Sequence, residues 1–421
     1  MRGWPVDILY LSLGVLAAPL WLRKSRGGWD ERFGKVDPIG EKQRPRLLIH
    51  GVSVGEQAAL RALVPLLAER CELVITATTD TGVARARELY GSVAEIRRYP
   101  LDFSWSVRRF LRAVAPDAAA LVELEIWPQF IAECRARGIP VAVINGRLSA
   151  GSFRGYRRLR PVLRGTFASL DFAAVQDEDY AKRFRAMGVP DARCQVTGSM
   201  KWDTVSLREP GAPPAARAIA LATDLGIDRA RPLIVAGSTA PEETGPLHAA
   251  CPPGVQLLVA PRKPEWFDGA WTELGKCVRR SGGGSNDQAG AKDRFLLDTI
   301  GELGAAYELA DLVFVGRSLA DYGGSDPIEP IALGRATLIG PHHSNFSQIV
   351  HDLSDRGSLT VVSRGELGLA VRDLLGSPGK RATMAASGQA LIRSRWGASH
   401  RHAVLLLELL QDGRMKTHVP G

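Results

Sequence analysis

Apolar residues along this chain fall into short unbroken runs of three to five, separated by longer stretches in which apolar positions recur every three or four residues. Between Arg46 and about Thr197 the runs are Leu47–His50, Leu73–Ala77, Ala119–Val122, Val141–Ile144 and Phe172–Val175. Runs this short are strands, and runs apolar at every position are strands buried on both faces. The intervening stretches, such as Glu56–Ala68 and Phe130–Arg137, carry the helical period. Alternating strand and helix predicts a parallel sheet covered on both sides. A second series opens at Pro232, with runs at Leu233–Ala236, Leu257–Val259, Phe295–Leu297, Leu312–Val315 and Thr337–Ile339.

The Pro/Gly/Ala-rich stretch Glu209–Ala216 separates the two series and reads as a linker. Ser281–Ala291 is of low complexity. Its glycines do not lie between a strand and a helix, so it reads as a surface loop rather than a phosphate cradle. The final helical stretch, about Arg381–Leu410, is expected to cross back to the first domain. The predicted organisation is therefore residues 1–35 as an anchor and basic flank, 36–208 as a first α/β domain, 209–230 as a linker, 231–380 as a second α/β domain, and 381–421 as the returning helix.

Within the second series, Asp298–Phe346 reads as helix, buried strand, Gly323-Gly324 turn, and a helix that opens at Pro327 with Glu329 in its first turn. That order presents backbone N–H groups and one carboxylate at the carboxyl end of a strand, as nucleotide sites do. The two glycines are expected to permit a tight exit and a close approach of backbone to ligand.

Composition narrows the class. The chain has 421 residues, enough for two or three domains, and its 45% hydrophobic and 24% charged content suits an ordinary soluble enzyme. The net charge of +9 is concentrated in two blocks. One holds Arg23, Lys24, Arg26, Arg32 and Lys35; the other holds Arg147, Arg154, Arg157, Arg158, Arg160 and Arg164. Such blocks suit membrane headgroups or a phosphorylated substrate. They carry little aromatic interleaving, so no nucleic-acid partner is expected. The five cysteines are scattered and the histidines form no zinc spacing, so neither disulfides nor a metal are expected. Ile8–Leu22 is apolar and is followed by Arg23-Lys24, but it is shorter than the roughly 20 residues of a spanning helix. It reads as an interfacial or barely spanning anchor with the body on the cytoplasmic side, or alternatively as a buried first helix.

Eight segments, in order along the chain, carry a specific resemblance. They are Trp29-Asp30-Glu31-Arg32-Phe33-Gly34, His50-Gly51-Val52-Ser53-Val54-Gly55-Glu56, Glu123-Leu124-Glu125-Ile126-Trp127-Pro128, Asn145-Gly146-Arg147-Leu148-Ser149, Thr197-Gly198-Ser199-Met200-Lys201-Trp202-Asp203, Ala236-Gly237-Ser238-Thr239, Ala260-Pro261-Arg262 and the Asp298–Phe346 segment. Together they resemble the bacterial Kdo transferases, which move 3-deoxy-D-manno-octulosonate (Kdo) from CMP-Kdo to a lipid A precursor. The resemblance implies two Rossmann-like domains facing across a cleft, the GT-B type of glycosyltransferase, with an N-terminal membrane anchor. It also implies an inverting, metal-independent reaction at the cytoplasmic face of the bacterial inner membrane, in lipopolysaccharide core biosynthesis. CMP-Kdo is the donor substrate, no cofactor is implied, and no oligomeric state is assigned.

Removing the proton of an acceptor hydroxyl as its bond forms calls for a base. Glu31 matches the family's residue for that task. The resemblance places Ser53, Gly55, Glu125 and Lys201 with the acceptor, and Ser238, Arg262, Gly301, Glu302, Asp326 and Glu329 with the donor. Lys201 and Arg262 supply positive charge for the phosphate and the Kdo carboxylate. Glu329 is expected to accept from the ribose hydroxyls. Ser53 also reads as a helix cap with Glu56 three residues later. Alternating strand geometry would point Glu123 and Glu125 to one face, with Glu125 the better match to a binding residue.

Three positions depart from the family pattern. Gly323-Gly324-Ser325-Asp326-Pro327 stands where Gly-Gly-His-Asn-Pro is usual, and Val315-Gly316-Arg317-Ser318 where Val-Gly-Gly-Ser is usual. Lys263 and Trp266 replace a histidine and an arginine. Arg317 is expected to pair with Asp326 and preserve the pocket's net charge. These departures also leave room for a different sugar nucleotide, in a transferase or an epimerase, or for a non-catalytic membrane-bound relative with a degenerate donor site.

Overall fold

Each of the ten expected runs falls on a strand in the computed structural model, which describes residues 27–209, 211–275, 277–282 and 293–417. The first sheet comprises β1 (Arg46–His50), β2 (Glu72–Ala77), β3 (Glu95–Arg98), β4 (Ala118–Val122), β5 (Val141–Gly146), β6 (Phe172–Val175) and β7 (Cys194–Val196). The second comprises β8 (Leu233–Thr239), β9 (Gln256–Pro261), β10 (Val278–Arg279), β11 (Arg294–Leu296), β12 (Leu312–Val315), β13 (Ala336–Ile339) and β14 (Thr360–Val361). All pairings are parallel, in the orders β3-β2-β1-β4-β5-β6-β7 and β10-β11-β9-β8-β12-β13-β14. The four strands that the hydrophobic runs do not announce are β3, β7, β10 and β14, the outermost strand on each side of each sheet. Edge strands are covered less than central ones, so they tolerate sequences such as Glu95-Ile96-Arg97-Arg98 and the exposed Thr360-Val361.

The chain divides into two compact units. One holds the described residues up to Thr204 and from Arg395 onward; the other is Val205–Ser394. The segment from 381 therefore stays with the second unit as far as Ser394. Met384 packs in that unit's core, and the Gln389 amide donates to Arg208 O and Ala332 O. The expected anchor at 8–22 lies outside the described residues. Among the described residues, no helix is long and apolar enough to cross a membrane.

Strand ends in a parallel sheet leave backbone N–H groups that need acceptors. At the amino ends one device recurs three times. Asp117, Asp171 and Asp311 stand just before β4, β6 and β12, and each accepts the first N–H of the neighbouring strand, from Arg46, Val141 and Leu233 at 2.7, 2.9 and 3.0 Å. At helix starts, Ser53, Thr79, Ser149 and Asp177 accept from the backbone three residues on.

Alternation along β1 sends Leu47 and Ile49 to one core and Leu48 to the other, so the first sheet is packed on both faces. The helix Ala398–Thr417 closes the first face with Ala398, Ala403, Leu406 and Leu410. It also carries His402, which is fully buried and held neutral, its pKa lowered to about 4 chiefly by burial. His402 Nε2 accepts the Asn145 N–H at 2.8 Å, which leaves Nδ1–H to donate to Ala398 O at 2.7 Å. Replacing His402 by Leu strands the Asn145 N–H in the core, at an expected cost of about 1–3 kcal/mol. A lower urea midpoint with an unchanged slope is the expected reading; an unchanged midpoint would contradict this account of the helix's anchorage.

Candidate active site

In each sheet the strand order reverses once at the middle, between β1 and β4 in the first and between β8 and β12 in the second. Ligands of open α/β sheets bind outside the carboxyl ends of strands at such points. Backbone strain marks the same places. Among the described residues, five non-glycine residues have positive φ, and four of them are Glu123, Asn145, Ser238 and Arg317, at +58°, +51°, +56° and +59°. They stand at the carboxyl ends of β4, β5, β8 and β12. Left-handed backbone is unfavourable for residues with a Cβ, and it collects where function demands it.

In the first unit, Glu31 lies on the single turn Trp29–Arg32. Gly28 and Gly34 bracket this turn at φ +68° and +74°. A side chain at Gly34 would put its first carbon 2.1 Å from Ser106 O, so only glycine lets the turn lie against that helix. The Arg32 carbonyl accepts from Leu101 N at 2.7 Å and Ser106 Oγ at 3.0 Å. Glu31 Oε2 lies 3.3 Å from Arg98 Nε, and Arg98 Nη1 lies 2.7 Å from Asp80. The carboxylate is thus oriented by a nearly buried guanidinium and remains one-third exposed.

This group joins the β1–β4 switch point through the backbone, because Thr79 N and Oγ1 both donate to Val52 O, at 3.3 and 3.0 Å. Ser53 caps the helix Val54–Ala59, and its hydroxyl donates to Glu56 Oε1 at 2.8 Å while Glu56 Oε2 accepts from Val52 N at 2.7 Å. Gly55 is exposed and no atom crowds its missing side chain. Lys201 lies on the turn Met200–Thr204, beside the helix Val54–Ala59. That turn is tied by Met200 N to Asn145 Oδ1 at 3.1 Å and by Gly397 N to Asp203 at 2.8 Å.

The expected alternation of Glu123 and Glu125 does not occur. β4 ends at Val122, and the left-handed Glu123 turns the chain before Glu125. Glu125 accepts from Trp127 Nε1 at 2.8 Å, and burial, reinforced by the charges of Glu56 and Glu123, raises its pKa to about 7. Burial also raises Glu56. His50, which the sequence did not single out as a site residue, is fully buried and stacks on Tyr99 at 3.6 Å. Its pKa is lowered to about 3, mainly by burial, so its 3.8 Å approach to Glu125 joins two neutral groups near pH 6 rather than an ion pair. Thr76 Oγ1 donates to Ile49 O, so it accepts from His50 Nδ1–H, which turns the Nε2 lone pair toward Glu125.

In the second unit one buried carboxylate organises the switch point. Glu243 Oε2 accepts from Ala240 N and Arg317 N at 2.8 and 2.6 Å, and Oε1 accepts from Ser318 N and Leu319 N at 2.7 and 2.8 Å. It binds the exit of β8, where Ser238 stands, to the exit of β12. Arg262 N donates to Thr239 O at 3.0 Å, which adds the exit of β9. Glu329 lies elsewhere on the rim, its Oε1 against Gly304 in the helix Leu303–Leu309 that follows Gly301 and Glu302. Gly301 has φ +94°, a conformation glycine favours. The Glu302 side chain is taken by Arg280, which donates to both of its oxygens at 3.0–3.2 Å, and by the Thr299 hydroxyl. Arg280 holds it below the usual carboxylate range, so its carboxylate shapes the loop. Tyr307, another residue the motifs did not indicate, brings its hydroxyl against Gly237 and feels the charges of Glu329 and Asp326.

Two expectations about the glycine-rich turn need correction. Arg317 does not pair with Asp326: its Nη2 donates to Tyr322 O at 2.9 Å, while Asp326 Oδ1 accepts from Ile328 N at 2.9 Å. The left-handed backbone of Arg317, held by Glu243, commits its side chain to the Tyr322 loop. Gly323 and Gly324 do permit close approach, but to the chain itself. Side chains there would meet Asn345 at 2.4 Å and His343 at 3.0 Å. Among the described residues, no group of three or more His, Cys, Asp or Glu is placed to hold a metal ion.

Two parallel α/β sheets, each with one reversal of strand order at its middle, define a two-domain α/β fold, and comparison with solved structures agrees on that fold. UDP-GlcNAc 2-epimerase from Neisseria meningitidis matches with a TM-score of 0.55 over 87% of this chain and 100% of that one, at 13% identity. Residues 27–204 match the family model of 3-deoxy-D-manno-octulosonic-acid transferase (kdotransferase). The 3-deoxy-D-manno-octulosonic acid transferase of Bordetella pertussis is 33% identical over 96% of this chain and 98% of its own length. That of Haemophilus influenzae is 32% identical over 97% and 95%. The chain belongs to the Kdo transferase family and is a glycosyltransferase.

The raised Glu125 carboxyl has a stability consequence. Below its ordinary value of 4.5 the group is protonated in folded and unfolded chains alike; as pH rises toward about 7 the unfolded chain ionises first. Stability should fall across that window, and Glu125→Gln should flatten the fall, leaving the part due to Glu56. Melting temperatures from pH 4.5 to 7.5 measure it, and identical slopes for the two proteins would refute the assignment.

Proposed function

We propose that this enzyme transfers Kdo from CMP-Kdo to a lipid A precursor with inversion and without a metal ion, the first unit taking the acceptor and the second the donor. The observation that carries the reading is that the family's motifs coincide with the two switch points and their left-handed residues. Glu31 takes the proton of the acceptor hydroxyl while that oxygen attacks the anomeric carbon, and CMP departs with the bonding electrons. One carboxylate suffices for inversion, because the displaced nucleotide needs no protonation to leave. Arg98 keeps the Glu31 carboxylate oriented. Ser53, Gly55, protonated Glu125 and Lys201 form the acceptor rim. Ser238 and Arg262 meet the anionic part of the donor, and Gly301 and Glu329 its nucleoside. Asp326 serves that rim through the Ile328 N–H it holds, and Glu302 through the Arg280 and Thr299 side chains it binds.

Location at the cytoplasmic face of the inner membrane belongs to the same reading. Beside Glu31, the rings of Trp29, Phe33, Trp105 and Phe103 stack in series at 5.5–5.9 Å, with Trp29 and Trp105 each 43% exposed. On the helices Ala150–Arg158 and Arg160–Ala168, Leu159 and Val162 are 57% and 74% exposed among five arginines. Aromatic, aliphatic and cationic side chains together suit an anionic bilayer surface.

Glu31→Gln should lower the transfer rate by at least about a hundredfold, within the usual range for general-base catalysis, while CMP binding stays within twofold. Mass spectrometry of products from CMP-Kdo and a tetra-acylated lipid A precursor, with calorimetry for CMP, reads both; near-normal transfer would remove Glu31 from the role. Leu159→Asp with Val162→Asp should reduce co-sedimentation with anionic vesicles severalfold, and unchanged sedimentation would move the contact elsewhere.

A further inference from the structure

Two of the three departures from the family pattern, Arg317 and the Lys263/Trp266 pair, are distant in sequence but come together in the fold. Arg317 Nη2 donates to Tyr322 O, the Tyr322 ring meets Trp266 edge-on at 5.9 Å, and Lys263 Nζ lies 4.8 Å over Trp266. Arg262 precedes Lys263 and is bonded through its backbone N–H to the exit of β8, where Gly316 lies too close to Thr239 to carry a side chain. Arg262 and Arg317 therefore stand on either side of β8, at the carboxyl ends of β9 and β12. Among the described residues, neither guanidinium joins an ion pair. The carboxylates nearby are already engaged: Glu243 with four backbone N–H groups, and Glu242 with the Tyr322 hydroxyl at 3.0 Å. Two buried hydroxyls of the same loops, Thr239 Oγ1 and Ser325 Oγ, have no hydrogen-bond partner among the described residues, and those residues are 0% and 9% exposed.

We propose that Arg317 is a second guanidinium of the donor's oxyanion subsite, acting with Arg262 on the phosphate or the sugar carboxylate of CMP-Kdo. This rests on the donor reading above and assigns a role to a residue for which the family pattern has glycine. Arginine suits the task because its planar fork binds either oxyanion through two donors. Its backbone supports the reading as well. At φ +59° glycine is the unstrained choice, so the side chain carries a backbone cost, and its one bond to Tyr322 O occupies only Nη2 of the fork. Burial and then the positive charge of Arg262 lower the Arg317 pKa, and they outweigh the opposing charge of the Glu243 carboxylate beneath it.

Arg317→Gly separates a binding role from a structural one, because it relieves strain and should leave the melting temperature unchanged or raised. Full-length wild type, Arg317→Gly and Arg317→Lys are titrated with CMP and with cytidine, and the donor KM is measured with CMP-Kdo. A phosphate contact predicts at least tenfold weaker CMP binding with cytidine unaffected. A carboxylate contact predicts unchanged CMP binding with a donor KM raised at least tenfold. In either case Arg317→Lys recovers part of the loss. If Arg317→Gly stays within twofold of wild type in all three measurements, the arginine assignment is overturned while Kdo transfer stands. If wild type neither binds CMP nor releases it from CMP-Kdo, the donor reading fails and this assignment falls with it.

Discussion

A parallel sheet ends every strand with backbone groups that no neighbouring strand can pair, and this chain answers with carboxylates. Glu243 is the most heavily used: fully buried, it takes four N–H groups from the exits of β8 and β12. Without an acceptor there, four donors would be stranded in the interior, each costing about 1–3 kcal/mol. The switch point of the second unit hangs on this contact. It fixes Ser238 and Arg317 in their left-handed conformations and brings the motif after β8 against the motif after β12. Asp117, Asp171 and Asp311 apply the same logic at amino ends, where it sets the frame rather than the chemistry.

The two units build their switch points alike and charge them oppositely. The first gathers Glu31, Glu56, Glu123 and Glu125, with burial keeping Glu125 protonated to about pH 7. The second gathers guanidiniums over a carboxylate whose oxygens are all spent on the backbone. A hydroxyl-bearing acceptor needs an ionised base and neutral hydrogen-bonding groups, and an anionic donor needs cations. The polarity of each half therefore follows the substrate assigned to it. Two carboxyls of the first unit differ in surroundings: Glu31 lies beside the Arg98 guanidinium and is one-third exposed, whereas Glu125 is raised by burial and by the nearby Glu56 and Glu123.

Much of this was legible in residue order. Runs such as Leu312–Val315 announced the central strands because burial on both faces demands continuous apolar character. Ser53 and Glu56 announced their cap because capping acts over three residues. The edge strands were silent because one side faces solvent and any residue serves. Glu123 and Glu125 were misread because a left-handed residue cancels the alternation on which strand reasoning depends. His50 and Tyr307 lie within motif segments yet were given no role, because stacking on Tyr99 and reach to Gly237 are contacts between distant parts of the chain.

The expected linker at 209–230 lies inside the second unit, which begins at Val205 and carries the helix Ala216–Leu225 there. By itself, the sequence determined the two-sheet class, the central strands, their local caps and the family. These follow from periodicity, from local capping and from motifs whose parts are adjacent in the chain. Only the tertiary structure decided which charges meet. It gave Glu302 to Arg280, sent Arg317 to the Tyr322 loop rather than to Asp326, raised Glu125 by burial, and set Arg317, Tyr322, Trp266 and Lys263 in one cluster. Electrostatic partnership depends on distance and desolvation through space, and residues as far apart in the chain as Glu56 and Glu125 acquire both only when the sheets form.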